Sequence, residues 1–345
     1  MVVHPGHHFS TADVYRGWVR GLQANGVKTC EWDTASRILF YENAHLQAED
    51  GEFYKPYDLS DVARILANGI HAACYQFVPD VVLVISARYI PDYTYDIIRQ
   101  RGARVVVLHT ESPYEDDEQQ LIADHVDLNL INDPTNLEAW RQIGPTEYVP
   151  HAYDPTVHRP APHRLDLLDF VWIGTAGNTF PSRTAFLEQV DWDGVNVGLG
   201  GLWQGTRESS PLLKYVMPGL GESVYNDTTT ALYQHSRMTA NLYRSEANSA
   251  ELVGGWAMGP RELEAAATGC FLARHSPADH GGEGDQILPM LPQFTEPGEL
   301  GEIIRHYLAR PDSRTRIATE ARAAIADRTF EHHAAQLLQR LERAA

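Results

Sequence analysis

The stretch from Gly254 to Ala273 reads GGWAMGPRELEAAATGCFLA, the punctuation of a loop, a short helix, a glycine stop and a buried strand. Gly254, Gly255 and Gly259 carry no Cβ, so the backbone there can come close to a ligand. Pro260 suits the first helical position, whose N–H has no helical partner in any case. Arg261 and Glu264 are three residues apart and project from one face of the first turn. Gly269 fits the left-handed residue just past a helix end, and Cys270-Phe271-Leu272-Ala273 is short, apolar and strand-like. Unpaired N–H groups and the positive end of a helix dipole favour phosphate. Arg261 adds a fixed fork of donors, and Glu264 can accept from two neighbouring hydroxyls, as on a ribose. The same letters also suit a core helix with a solvated Glu–Arg face.

Working outward, the second half of the chain alternates strand and helix. Strands are expected over 169–174, 195–199 and 238–243, and helices over 183–189, 230–237, 299–309, 314–326 and 330–341. The first half does the same. Its strands are expected over 1–4, 27–32, 81–86, 104–109, 126–132 and 147–150, with helices after Ser10, over 61–77 and over 93–101. The β-branched runs at 81–86 and 104–109 suit strands buried on both faces of a parallel sheet. Residues 33–60 are polar, aromatic and poorly periodic, and read as an insertion or a helix plus loop. Pro155, Pro160 and Pro162 punctuate the junction between the halves. The pattern predicts two α/β domains with mainly parallel sheets, 1–153 and 154–328, facing across a cleft.

Arg261-x-x-Glu264-x-x-Ala267-x-Gly269, followed by an apolar strand, resembles the nucleotide-sugar segment of GT-B glycosyltransferases. The group named after a spore-maturation protein, near the retaining family 4, is the one it is most similar to. That resemblance implies the GT-B fold, two Rossmann-like domains, with residues 329–345 forming a final helix that packs back towards the first domain. It implies that Glu264 binds the donor ribose. Related enzymes carry a second glutamate eight residues before it, where this chain has Trp256. It also implies transfer of a sugar from a nucleotide-sugar, most simply a UDP- or GDP-sugar, to an unidentified acceptor, with retention favoured. A non-catalytic binding protein on the same frame and a nucleotide-sugar epimerase stand as alternatives.

Composition narrows the field. The net charge of −18, from 28 basic and 46 acidic residues, repels nucleic acid and requires any donor site to be locally basic. Arg207, Lys214, Arg244 and Arg261 are candidates for that role. Three cysteines without a CxxC pair argue for a reducing compartment and against a zinc cluster. No apolar run reaches the length of a membrane span, and MVVHPGHHF lacks the features of a signal peptide, so the expectation is cytoplasmic.

Loops after strands should hold the chemistry of open α/β sheets. Gly6-His7-His8 follows the first strand, and His7 or His8 can accept an acceptor-hydroxyl proton or touch phosphate. His109 and Glu111 follow the strand at 104–108, where many GT-B enzymes place a His or an acid near the sugar; a strand-end cap is the alternative. Pro150-His151-x-x-Asp154 resembles the GT-B crossing point between domains. Gly174, Arg207 and Lys214 match positions where related enzymes meet the donor pyrophosphate; solvated basic residues are the alternative. Asp191-Trp192-Asp193 has metal-binding spacing, but that motif belongs to the other glycosyltransferase fold, so no metal and no cofactor beyond the donor is expected.

Overall fold

The computed structural model describes residues 1–4, 9–87, 89–244, 246, 255–276 and 281–343, with 9 and 10 as backbone only. The chain divides into two compact units, Met1–Pro150 with Phe330–Ala345, and His151–Thr329. Among the described residues no helix is long and apolar enough to cross a membrane. Cys30, Cys74 and Cys270 are all free.

The first unit begins with β1 (Val2–His4), α1 (Phe9–Ala24), β2 (Glu31–Asp33), α2 (Ala35–Glu42), β3 (Leu46–Gln47), β4 (Phe53–Tyr54) and α3 (Leu59–Phe77). It continues with β5 (Val81–Ile85), α4 (Tyr93–Gln100), β6 (Arg104–His109), α5 (Asp116–Gln119), β7 (Leu128–Ile131), α6 (Leu137–Ile143) and β8 (Thr146–Tyr148). Its six-stranded sheet runs β2-β1-β5-β6-β7-β8, and every pairing is parallel. Residues 82–85 of β5 and 105–109 of β6 are buried, because these central strands are covered on both faces.

Three expectations change here. The strand expected over 27–32 is reduced to Glu31–Asp33, which alone falls in register with Val2–His4 at the sheet edge. The 33–60 stretch holds α2 and a small antiparallel hairpin, β3 with β4. The short helices α5 and α6 carry too few turns for a periodic signal.

The second unit contains β9 (Leu168–Ile173), α7 (Pro181–Glu188), β10 (Val197–Gly200), α8 (Asn226–Gln234), β11 (Ser236–Asn241) and α9 (Pro260–Thr268). β12 (Phe271–His275), α10 (Glu283–Ile287), β13 (Gln293–Phe294), α11 (Pro297–Leu308) and α12 (Pro311–Ala324) follow. Its sheet runs β10-β9-β11-β12-β13, again wholly parallel. Strands and helices share one apolar core that includes Phe170, Trp172, Leu263 and Phe271.

The last helix, α13 (Phe330–Arg343), belongs to the first unit and lies against α1. Two glycines of α1 permit this closeness. A Cβ at Gly17 would stand 2.3 Å from the Phe330 ring, and one at Gly21 would stand 2.5 Å from the Phe330 carbonyl oxygen.

In each sheet the strand order reverses once. From β1 the chain moves outward to β2 and then returns to β5 on the other side; from β9 it moves to β10 and then to β11. Ligands of open parallel sheets bind beside the carboxyl ends of strands at such a reversal. In the second unit this selects the turns after β9 and β11. In the first it selects the turns after β1 and β5, and Ser86, Ala87 and Tyr89 after β5 all have positive φ, of 71°, 51° and 61°.

Candidate functional site

α9 follows β11 in the chain, so its N-terminal end, Gly259 and Pro260, lies at the reversal point of the second sheet. Gly259 is the helix cap, with φ of −74° and ψ of 156°, and Pro260 occupies the first turn. Gly269 ends the helix at φ 75°. Gly254 lies outside the described residues.

Two buried carboxylates hold this loop. Glu262 is fully buried. Its Oε2 accepts from the Gly259 N–H at 2.7 Å and from the Tyr243 hydroxyl at 2.6 Å, and its Oε1 accepts from Arg274 Nε at 2.7 Å. This is half a capping box, since Gly259 has no side chain to return the bond. Arg274 Nη1 also donates to Asp285 at 2.9 Å. Burial, and then the Glu262 carboxylate, raise the Tyr243 phenol well above its usual range, so it stays a donor.

Glu283 is the second carboxylate. Its Oε2 accepts from the Met258 N–H at 3.0 Å, and its Oε1 pairs with Arg328 Nη2 at 2.7 Å. Its own N–H donates to the Trp256 carbonyl at 2.8 Å. Trp256 Nε1 donates to the Gly281 carbonyl at 3.1 Å, so Trp256 is tied into the loop frame.

Arg261 and Glu264 do meet on one face of α9. Arg261 Nη1 donates to Glu264 Oε2 at 2.6 Å and to Asn226 Oδ1 of α8 at 3.2 Å. Glu264 is 8% exposed, and a third of the Arg261 side chain is exposed. The solvated Glu–Arg face is therefore not what forms. Instead a cation and a carboxylate are oriented in advance beside the α9 N-terminus, where the backbone dipole also favours an anion.

Gly259 has no fold-level need for glycine. The nearest neighbours of a Cβ there would be 3.8 Å away, an ordinary contact, and its φ is open to any residue. Gly174 differs, because a Cβ would come within 2.7 Å of the Trp172 ring. Its N–H donates to the Gly200 carbonyl at 3.1 Å.

The remaining basic candidates are dispersed. Arg207 pairs with Glu188 of α7 at 2.9 Å, and Lys214 sits exposed in a one-turn helix with its ammonium 4.7 Å from the Tyr215 ring centre. Arg244 stacks over Phe180 at 5.2 Å. Asp191 pairs with Arg305 at 2.9 Å and accepts the Asp193 N–H at 3.1 Å. Among the described residues no group of three or more His, Cys, Asp or Glu could hold a metal.

On the first unit, His7 and His8 lie outside the described residues. Glu111 is half-buried and opens the turn after β6, where its carbonyl accepts the Tyr114 N–H at 2.8 Å. His151 is half-buried and opens the second unit. The expectation of His109 as a base facing ligand is corrected. It is fully buried, its Nε2 donates to Asn129 Oδ1 at 2.8 Å, and its ring packs on Trp140 at 4.4 Å. Nδ1 is buried with no hydrogen-bond partner. A proton there would be an unsolvated charge, so burial pushes the imidazole down to about 4.

Sequence reasoning missed Glu262, Glu283, Arg274 and Asn226. For Glu262 a signal was present: an acid three residues after a glycine cap, with proline between, is the pattern of a side chain reaching back to the cap. Nothing local marked the other three, whose partners lie far off in sequence.

Residues 183–339 match a family model described as glycosyl transferase-like. No curated protein matches the chain. Among solved structures it is similar to HepE from Anabaena in complex with UDP-glucose, with 12% identity and TM-score 0.54 over 82% of either chain. It is also similar to a trehalose-6-phosphate synthase, with 11% identity and TM-score 0.59 over 99% of this chain and 98% of that one. A putative UDP-N-acetylglucosamine 2-epimerase from Listeria monocytogenes gives 12% identity and TM-score 0.59 over 98% and 94%. The chain thus has the GT-B fold, and its segment 183–339 is glycosyl transferase-like.

Proposed function

We propose that this protein transfers a glycosyl group from a UDP-sugar to an acceptor, with the donor nucleotide held at the N-terminus of α9. The observation that carries the reading is the Arg261–Glu264 pair, oriented at 2.6 Å beside that helix end at the reversal point of the second sheet. The glycosyl transferase-like match over 183–339 supports it, as do the bound UDP-glucose of HepE and the bound UDP-2-fluoro glucose of an E. coli protein of the same fold.

In this reading the α9 backbone N–H groups and Arg261 stabilise the diphosphate as negative charge builds on it during bond cleavage. Glu264 accepts from the two ribose hydroxyls, which fixes the donor against rotation. Because Glu262 and Glu283 already hold residues 256–259, little reorganisation accompanies donor binding. His7 and Glu111 remain the proposed acceptor-side groups, since the burial of His109 removes it from contact with substrate.

The test is a thermal-shift panel of UDP, GDP, dTDP and ADP, followed by an assay for UDP release from UDP-sugars. A ligand that binds only the native state at a hundred times its Kd adds about 2.7 kcal/mol of stability. UDP should give the largest shift, and the UDP-sugar should release UDP. Epimerisation would leave the UDP–sugar bond intact, and a non-catalytic binder would bind UDP without any release. No shift with any nucleotide would end the proposal.

A further inference from the structure

The second unit also holds a pocket of about 260 Å³ at the opposite end of α9. Thr268 and Gly269, at the helix's C-terminal end, line it, as does Phe271 at the start of β12. It therefore sits beside the amino ends of the strands, whereas the donor site proposed above lies at their carboxyl ends. Four arginines, Arg164, Arg237, Arg314 and Arg322, face it against one carboxylate, Asp166. This concentration of positive charge occurs in a chain whose net charge is −18.

The four arginines divide into two kinds. Arg164 is committed to the fold: Nε pairs with Asp166 at 2.6 Å, Nη1 donates to the Gly269 carbonyl at 3.2 Å, and Nη2 donates to the Ser236 carbonyl. It thereby covers carbonyls that would otherwise repel an anion. Arg237 is likewise held by carboxylates: Nη1 pairs with Asp169 at 2.7 Å, and Nε lies 3.5 Å from Asp166 Oδ2. Arg314 Nη1 donates to the Tyr307 carbonyl at 2.8 Å. Among the described residues, neither Arg314 nor Arg322 has a carboxylate within ion-pair distance. Arginine forks with donors to spare, converging on a small pocket, match the geometry of a phosphate group.

We infer that this pocket is a second ligand site, separate from the donor site, that binds the phosphate group of a small phosphomonoester or free phosphate. Its volume admits a phosphate with a few carbons attached. Like charges already oppose one another there. Burial holds the Arg314 guanidinium below its ordinary value, Asp166 counters this, and Arg164 and Arg237 add to it. A bound dianion would relieve that repulsion. The pocket lies at the end of α9 far from the donor site, and the helix's nine residues span roughly 13 Å.

The test is calorimetric titration of the full chain with sodium phosphate and with glycerol 3-phosphate, at ionic strength held constant with sodium chloride, with and without saturating UDP. Saturable binding is expected, unaffected by UDP, and weakened about tenfold or more in R314Q and in R322Q. Arg322 is exposed, so R322Q preserves the fold even if R314Q disturbs α11 through Tyr307. Tighter binding of glycerol 3-phosphate would identify an ester as the occupant, and equal binding would identify free phosphate. The inference is overturned if neither anion saturates, if sodium chloride alone gives the same heat, if R322Q binds as wild type does, or if UDP displaces the anion.

Discussion

Replacing Glu262 by Gln keeps the side chain's shape and removes a buried charge. The carboxylate accepts three bonds, from Gly259 N–H at 2.7 Å, Tyr243 hydroxyl at 2.6 Å and Arg274 Nε at 2.7 Å. Glu262 and Arg274 are 0% and 3% exposed, so solvent cannot take the place of the lost partner. Removing one member of a buried ion pair costs about 3–5 kcal/mol, because it strands the other charge. Arg274 keeps Asp285 at 2.9 Å, which places the expected loss near the low end, about 3 kcal/mol. In a unit the size of His151–Thr329, each kcal/mol moves Tm by about 2–4 °C, so Tm should fall by about 6–12 °C. Differential scanning calorimetry reads this directly. UDP affinity should fall as well, because the Gly259 N–H loses its anchor. A drop smaller than the ~2 °C that 1 kcal/mol produces would refute the claim that this network holds the loop.

Glu264→Ala should act more on binding: UDP affinity falls by about 1.5–3 kcal/mol, roughly 10- to 150-fold, while Tm falls less than in Glu262→Gln, because Arg261 is a third exposed and keeps Asn226, as calorimetric titration beside thermal denaturation will show. Gly259→Ala should leave stability within about 1 kcal/mol of wild type, since a Cβ there meets nothing closer than 3.8 Å, yet lower UDP affinity; unchanged affinity would show that the ligand does not approach this backbone. For His109, the folded value of about 4 lies below the ordinary 6.5, so the unfolded chain binds the proton first as pH falls. His109 should therefore account for roughly 3 kcal/mol of the stability lost between about pH 6.5 and pH 4; burial lowers His151 and His275 to about 4 as well, so His109→Gln should remove only its own share of that slope in the denaturation profile.

The architecture was legible in the sequence wherever a signal is local and repeated. The β-branched runs that became β5 and β6 need no partner to be recognised, because a short, β-branched, wholly apolar run suits a strand covered on both faces. The proline start and glycine stop of α9 likewise follow from backbone sterics within a few residues. The Arg261–Glu264 contact was also legible, since helical geometry alone places residues three apart on one face.

Tertiary structure decided the environments. Glu262 and Glu264 are two residues apart on one helix and both buried, yet one is sealed against the buried Arg274 and the other pairs with Arg261, a third of whose side chain is exposed. His109 reads as a strand-end candidate, but its side chain turns into the core towards Asn129 and Trp140. The four pocket arginines come from positions 164, 237, 314 and 322, and no local pattern links them. Sequence spacing sets which face a side chain takes on its own element. Burial, charge and pKa depend on what other elements bring to that face, and strand order alone settles which elements those are.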